Sequence, residues 1–111
     1  MSEYGKIVGV TFEGRQQTLS ELASDNPWRE VTLIRRRFVN SETGITEPAI
    51  QVYDYKTKRE MGWIAKNDLS RYDGITHMTA VIGSFVENNQ ITWYANLFLQ
   101  GYSPAIARKV V

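Results

Sequence analysis

Apolar and polar residues alternate along much of this chain, which is the pattern of strands rather than of helices. The alternation is clearest near the end, where Ile91, Trp93 and Ala95 occupy every second position, and it predicts that Trp93 belongs to the core. Turn-forming residues, chiefly glycine, asparagine and proline, separate such runs. We therefore predict six strands, over residues 6–12, 31–39, 49–55, 60–65, 76–86 and 91–99.

Two short helices interrupt these strands. Residues 19–23 place apolar side chains at helical spacing, and Thr18 with Glu21 matches a capping box. A second short helix is predicted around residues 68–72, with Asn67 as its capping residue. Six strands with two short helices predict an all-β fold, a small six-stranded barrel of the OB or SH3-like type.

Length and composition fit one small domain. The chain has 111 residues, of which 42% are hydrophobic, and it contains no cysteine. We expect a single barrel domain over residues 1–100 and a C-terminal tail over 101–111. The lack of cysteine excludes disulfides and thiolate metal sites. No apolar run is long enough to span a membrane, and the first residues lack a signal-peptide pattern, so we expect a cytoplasmic protein with no membrane association.

Catalytic chemistry has no clear carrier in this sequence. His77 is the sole histidine, which argues against a metal site in a chain without cysteine. No nucleophile or cofactor motif is present, and no pair of carboxylates is singled out by its spacing. We therefore predict that the protein is not an enzyme and uses no cofactor.

Cations and aromatic rings supply the main candidates for binding. The net charge is only +1, so any contact with nucleic acid depends on where the cations lie. Side chains alternate along a strand, which puts Arg35 and Arg37 on one face as candidate phosphate contacts, with Arg15 as a third. Phe12 and Trp63 are candidates for stacking on bases.

The order of several short segments resembles the HIRAN domain, including the form that stands alone in bacterial proteins. The segments are Val8-Gly9-Val10, Leu33-Ile34-Arg35, Ala49-Ile50-Gln51-Val52, and Gly62-Trp63-Ile64-Ala65-Lys66 before Asp68-Leu69. HIRAN domains are OB-like barrels, and some bind single-stranded DNA and capture its 3′-hydroxyl end. The resemblance therefore implies single-stranded DNA, including its 3′ ends, as the partner.

The same resemblance implies where the groove would lie. By this resemblance, the groove would be formed by Thr11 and Phe12 at the end of the first strand, by the connector that begins at Asn40, and by Trp63 with Lys66. Two features depart from the family. Thr11 stands where a basic residue is common, and the connector is longer and lacks the family's tyrosine-aspartate pair. We therefore expect at most a weak preference for DNA ends.

A second function stays open at this point. The same aromatic face, or the edge of a hairpin, is also suited to contact with another protein or with a second copy of the chain. The sequence thus predicts a non-catalytic module that binds single-stranded nucleic acid or, alternatively, a protein-interaction domain or homodimer with no nucleic-acid role.

Overall fold

A computed structural model describes residues 4–12 and 14–99 of the chain. Its strands are β1 (Gly5–Val8), β2 (Trp28–Val39), β3 (Thr46–Asp54), β4 (Glu60–Ile64), β5 (His77–Glu87) and β6 (Gln90–Phe98). Helix α1 (Arg15–Asp25) follows β1, and a 3₁₀ helix (Lys66–Tyr72) follows β4. The strands form a closed antiparallel barrel in the order β1-β4-β3-β2-β5-β6, which confirms the all-β prediction. The expected tail, 101–111, lies outside the described residues.

The first strand is shorter than the sequence pattern predicts. It ends at Val8, because Gly9 has a φ of 73°, a left-handed conformation that glycine adopts without steric cost. Thr11 and Phe12 therefore lie in the turn that follows β1 and not in the strand itself.

Helix α1 begins earlier than predicted, and the proposed capping box is wrong. The helix starts at Arg15 after a left-handed Gly14, so Thr18 already lies in its second turn. The Thr18 hydroxyl donates back to the carbonyl of Gly14 over 3.0 Å. Glu21 does not cap the helix and instead pairs with Arg59, at 3.0 Å. The predicted stop before Pro27 is confirmed, because the helix ends at Asp25.

Two further boundaries differ from the sequence prediction. Asn67 does not cap the 3₁₀ helix, which begins after Ala65 without a side-chain cap. The connector after β2 is short, because β3 already starts at Thr46 and continues through Pro48. Pro48 pairs with Arg37 in the register of β2 and β3.

The core fills the barrel and the space beneath α1. Leu19 and Leu22 of the helix are buried against it, and so is the ring of Tyr72 at the end of the 3₁₀ helix. The buried apolar strand residues are Ile7, Val31, Leu33, Ile50, Val52, Met61, Ile64, Met78, Ala80, Ile82, Ala95 and Leu97. Burial of this apolar surface is the main force that holds the barrel together.

Two hairpins extend beyond the barrel at opposite ends of β2. The β2–β3 overhang comprises residues 35–48, and the β5–β6 overhang comprises residues 83–94; most of their side chains are exposed. Trp93 is only partly buried, although it packs against the core as predicted. Ile91, two positions nearer the hairpin tip, is exposed because the strands there have left the barrel.

A glutamine side chain fixes the start of α1 against the barrel. The Gln16 Nε2 donates to the carbonyls of Trp93, at 2.8 Å, and Val10, at 2.9 Å. The Gln16 Oε1 accepts the backbone N–H of Trp93 at 2.7 Å. The side-chain amide of Gln16 thus makes the two hydrogen bonds to Trp93 of β6 that a neighbouring strand would make. Its bond to Val10 fixes the turn that contains Phe12.

Candidate nucleic-acid interface

An apolar cleft lies on the outer side of the barrel, next to the turn after β1. Its volume is about 520 Å³, and it is lined by three aromatic rings, those of Phe12, Phe38 and Trp63. Phe12 is 63% exposed. The rings of Phe38 and Trp63 meet edge to face, with centroids 5.1 Å apart and an interplanar angle of 69°. We call this feature the aromatic cleft.

Local backbone geometry explains why these rings meet. A Cβ at Gly9 would lie 3.2 Å from the Trp63 ring and 3.1 Å from the Arg15 guanidinium, so a side chain there would crowd both groups. Val8 and Trp63 are paired across β1 and β4 and therefore share the outer face. Glycine at position 9 both turns the chain toward Phe12 and leaves room for the rings.

A second cleft adjoins the first. Its volume is about 460 Å³, and its lining includes three consecutive arginines, Arg35, Arg36 and Arg37. We call it the arginine cleft. The two clefts share Pro48, Ala49 and Leu69 as lining residues, so they adjoin, with Arg35 and Arg37 on the opposite face of β2 from Phe38.

The three arginines differ in how their donors are used. Arg35 donates to the backbone carbonyls of Tyr72 and Ile75. Arg36 donates to the side-chain oxygen of Gln51 and to the Tyr53 hydroxyl. Within the described residues, Arg37 makes no hydrogen bond or ion pair. Its guanidinium is therefore the most available to a ligand.

Arg15 is placed differently from the sequence prediction. Its side chain is largely buried, forms an ion pair with Glu60 and donates to the Gly9 carbonyl at 2.8 Å. Burial lowers the pKa of Arg15 below its ordinary value, with a smaller opposing contribution from Tyr53. The guanidinium also lies over the Phe12 ring, 5.3 Å from its centroid. Because its donors are already engaged, the geometry favours Arg15 as a support for Phe12 and not as a phosphate contact.

The remaining predicted residues divide between the cleft and its surroundings. Lys66 lines the aromatic cleft and pairs there with Glu47, at 3.1 Å. Thr11 is exposed in the turn next to Phe12 but does not line either cleft. The Asn40 side-chain oxygen accepts the backbone N–H groups of Glu42 and Thr43, so Asn40 holds the turn of the β2–β3 overhang.

Sequence reasoning missed two residues of the aromatic cleft, Phe38 and Glu47. They face each other in the register of β2 and β3. The run from Arg35 to Phe38 contained an indication that the Phe38 ring lies on the surface. An aromatic residue that follows three arginines in a strand indicates a surface ring and not a core ring. Glu47 was assigned to the connector, where its pairing with Phe38 was not visible.

A buried ion pair lies apart from both clefts, at the start of β2 and the end of β3, next to the last turn of α1. Arg29 holds Asp54 with two hydrogen bonds, of 2.8 and 3.0 Å, and Thr57 donates to the same carboxylate from its backbone and its hydroxyl. Burial alone would raise the pKa of Asp54, but these bonds outweigh it, so the pKa lies below its ordinary value. The bonds to Asp54 raise the pKa of Arg29. This pair is fully satisfied and has a structural role.

Neither a metal centre nor a membrane span is found in the part of the chain that the structure describes. No three or more histidine, cysteine, aspartate or glutamate side chains lie together as metal ligands within residues 4–12 and 14–99. No helix within those residues is long and apolar enough to cross a membrane.

Comparisons with protein-family models, with curated proteins and with solved structures gave no match to this chain. The resemblance to HIRAN domains therefore stays a prediction.

Proposed function

We propose that the protein binds single-stranded nucleic acid across the aromatic and arginine clefts and has no catalytic role. One observation carries the proposal: the two clefts adjoin and share three lining residues, so one bound strand would contact the rings of one cleft and the cations of the other. Proteins that bind single strands combine these two features, because every base has a face that stacks and every nucleotide has a phosphate. Bases would contact Phe12, Phe38 and Trp63, while phosphates would contact Arg37, because the donors of Arg35 are engaged by the carbonyls of Tyr72 and Ile75.

The sign of the nearby charges supports this ligand over a cationic one. Aromatic rings also bind ammonium groups when no cation competes for them. Here the Arg15 guanidinium already lies over Phe12, and the Lys66 ammonium lines the same cleft. Arg15 therefore already covers the ring that an ammonium ligand would use, and since Lys66 is paired with Glu47, attraction for a negative charge comes chiefly from the adjoining arginine cleft.

A low net charge sets the expected strength of binding. With a net charge of +1, attraction comes from the local arginines and not from the whole surface. Affinity should therefore depend on few phosphate contacts and fall with salt by a modest log–log slope, about 0.7 per neutralised phosphate on a single strand.

A salt-titrated binding assay with fluorescent single-stranded oligonucleotides tests the proposal. Phe12→Leu removes a ring and keeps an apolar side chain, so we expect weaker binding with an unchanged salt slope. Phe85→Leu is the matched control, because Phe85 is an exposed ring of the β5–β6 overhang, and it should leave binding unchanged. The proposal fails if the wild-type protein binds no oligonucleotide at low salt.

Capture of DNA ends is a separate part of the proposal. An oligonucleotide with a 3′ phosphate should bind almost as well as one with a free 3′ hydroxyl, because the connector from Asn40 to Pro48 lacks the family's tyrosine-aspartate pair. A large loss on blocking the 3′ end would instead support end capture of the HIRAN type.

Self-association is the second candidate function. The β5–β6 overhang exposes Phe85, Val86 and Ile91, and apolar side chains of this kind are common in interfaces between copies of a chain. Analytical ultracentrifugation tests it with the double variant Val86→Ser, Ile91→Ser. A dimer that dissociates in this variant would favour self-association, and a wild-type monomer at high concentration would exclude it.

A further inference from the structure

The aromatic cleft contains one anionic side chain among its cations and rings. Glu47 is placed beside Phe38 by the register of β2 and β3, and its carboxylate lies 3.1 Å from the Lys66 ammonium. The Glu47 side chain is 35% exposed and the Lys66 side chain 72% exposed. The lysine therefore occupies the outer side of the pair, and the carboxylate lies deeper.

We propose that Glu47 sets the affinity of this surface by competing with phosphate for Lys66. The inference rests on the proposed function of the same site. An exposed ion pair of this kind is weak, so a phosphate can compete with the carboxylate for Lys66. The carboxylate stays fixed on β3, however, and repels a phosphate that approaches, so Lys66 neutralises little phosphate charge in the wild-type protein.

The competition has a consequence for ligand choice. A lone anion gains little binding free energy at Lys66, because Lys66 then exchanges one anionic partner for another. A nucleotide gains more, since its base also stacks on the neighbouring rings. Glu47 thus favours ligands that present a base and a phosphate together.

Glu47→Gln tests this role with little change of shape. In the variant, Lys66 becomes free to neutralise one more phosphate, so the log–log slope of affinity against salt should steepen by about 0.7. The affinity of the variant relative to wild type should then grow about fivefold for each tenfold fall in salt concentration. Melting temperatures of the two proteins check that the fold is retained.

Glu42→Gln is the matched control. Glu42 is an exposed glutamate of the same overhang, and its replacement changes the net charge by the same amount. It should leave the salt slope unchanged. Lys66→Gln should remove the gain when it is added to Glu47→Gln, and it should change little in the wild-type background.

The outcomes separate this inference from the proposed function. If the wild-type protein binds but Glu47→Gln behaves like Glu42→Gln, the role of Glu47 is wrong while the proposed function stands. If the gain survives addition of Lys66→Gln, the assignment of Lys66 as its partner is wrong. If neither wild type nor Glu47→Gln binds at low salt, both the function and this inference are overturned.

Discussion

The two overhangs are similar in length and differ in chemistry. The β2–β3 overhang contains three arginines, whereas the β5–β6 overhang, over residues 83–94, contains Glu87 as its one charged residue. The outer part of the first is tied to the rest of the molecule, because Arg35 donates to carbonyls at and after the end of the 3₁₀ helix and Phe38 meets Trp63 of β4. The second is tied to α1 at its base, where Gln16 bonds the backbone of Trp93, and further out Phe85 meets Tyr94 of its own hairpin, at 6.1 Å.

This difference helps to distinguish exposed side chains that belong to a candidate binding surface from those that do not. Exposure alone does not distinguish the overhangs, since both expose large apolar residues. Position does, because Phe38 and the unpaired Arg37 of the β2–β3 overhang border clefts that they share with other elements of the described structure. We therefore expect ligand binding to depend on the first overhang and to tolerate changes in the second.

The largest expected effect is on the free energy of unfolding, and it concerns the open end of the β2–β3 hairpin, where β2 begins and β3 ends. Asp54→Asn leaves the buried Arg29 without its carboxylate, and breaking a buried ion pair costs about 3–5 kcal/mol. Chemical denaturation should show this loss in the free energy of unfolding. Asp25→Asn is the matched control, because Asp25 also pairs with Arg29 but is exposed, and it should cost much less. Equal costs would show that the buried pair does not hold the hairpin.

Acid should weaken the same pair. The pKa of Asp54 in the folded protein lies below its ordinary value, so the unfolded chain takes up this proton first as the pH falls. The stabilising contribution should therefore be complete above about pH 4 and be lost below it, toward the lower folded pKa. The free energy of unfolding, measured against pH for wild type and Asp54→Asn, should converge in acid. Parallel curves would contradict the assignment.

Replacing one exposed ring in each overhang tests the difference between the overhangs most directly. Phe38→Ala should weaken oligonucleotide binding by about 1–3 kcal/mol, because it removes one stacking surface. Phe85→Ala removes a ring of similar exposure from the other overhang and should have no effect on binding. Fluorescence anisotropy with the same oligonucleotide measures both. Equal losses would mean that the two overhangs do not differ in function.

The smallest expected effect lies in the salt dependence of binding. Arg37→Gln should flatten the log–log slope by about 0.7, because one phosphate contact is lost. Arg36→Gln should flatten it less, since the guanidinium of Arg36 is already engaged by Gln51 and Tyr53. A titration of affinity against salt for both variants measures the difference, and a larger change in Arg36→Gln would reverse their assigned roles.

The sequence predicted the barrel well because alternation and turn residues are local signals. The hairpin of β3 and β4 and that of β5 and β6 were both visible in this way, and the turn at Asn88 and Asn89 has the positive φ values that such tight turns require. The capping prediction failed at Thr18, because the helix already begins at Arg15 after a left-handed Gly14, and Thr18 is buried in its second turn.

The site was less predictable, because it depends on contacts between distant residues. Phe12, Trp63 and Lys66, which the resemblance assigns to one groove, do line one cleft, and their role in binding stays a prediction. Arg15 was read as a surface cation, and nothing near it in sequence indicated its ion pair with Glu60. The pairing of Glu47 with Lys66 likewise requires the fold.

The three tryptophans offer the most direct test of the central claim, that the face carrying the two clefts binds single-stranded nucleic acid. Their indole N–H groups give separate signals in a ¹H–¹⁵N NMR spectrum, and only Trp63 lines the aromatic cleft, while Trp28 and Trp93 serve as internal controls. Titration with a short single-stranded oligonucleotide at low salt should shift the Trp63 signal together with the backbone signals of residues 35–38, and leave those of Asn88 and Asn89 in place. Shifts confined to the β5–β6 overhang, or no shifts at all, would contradict the account.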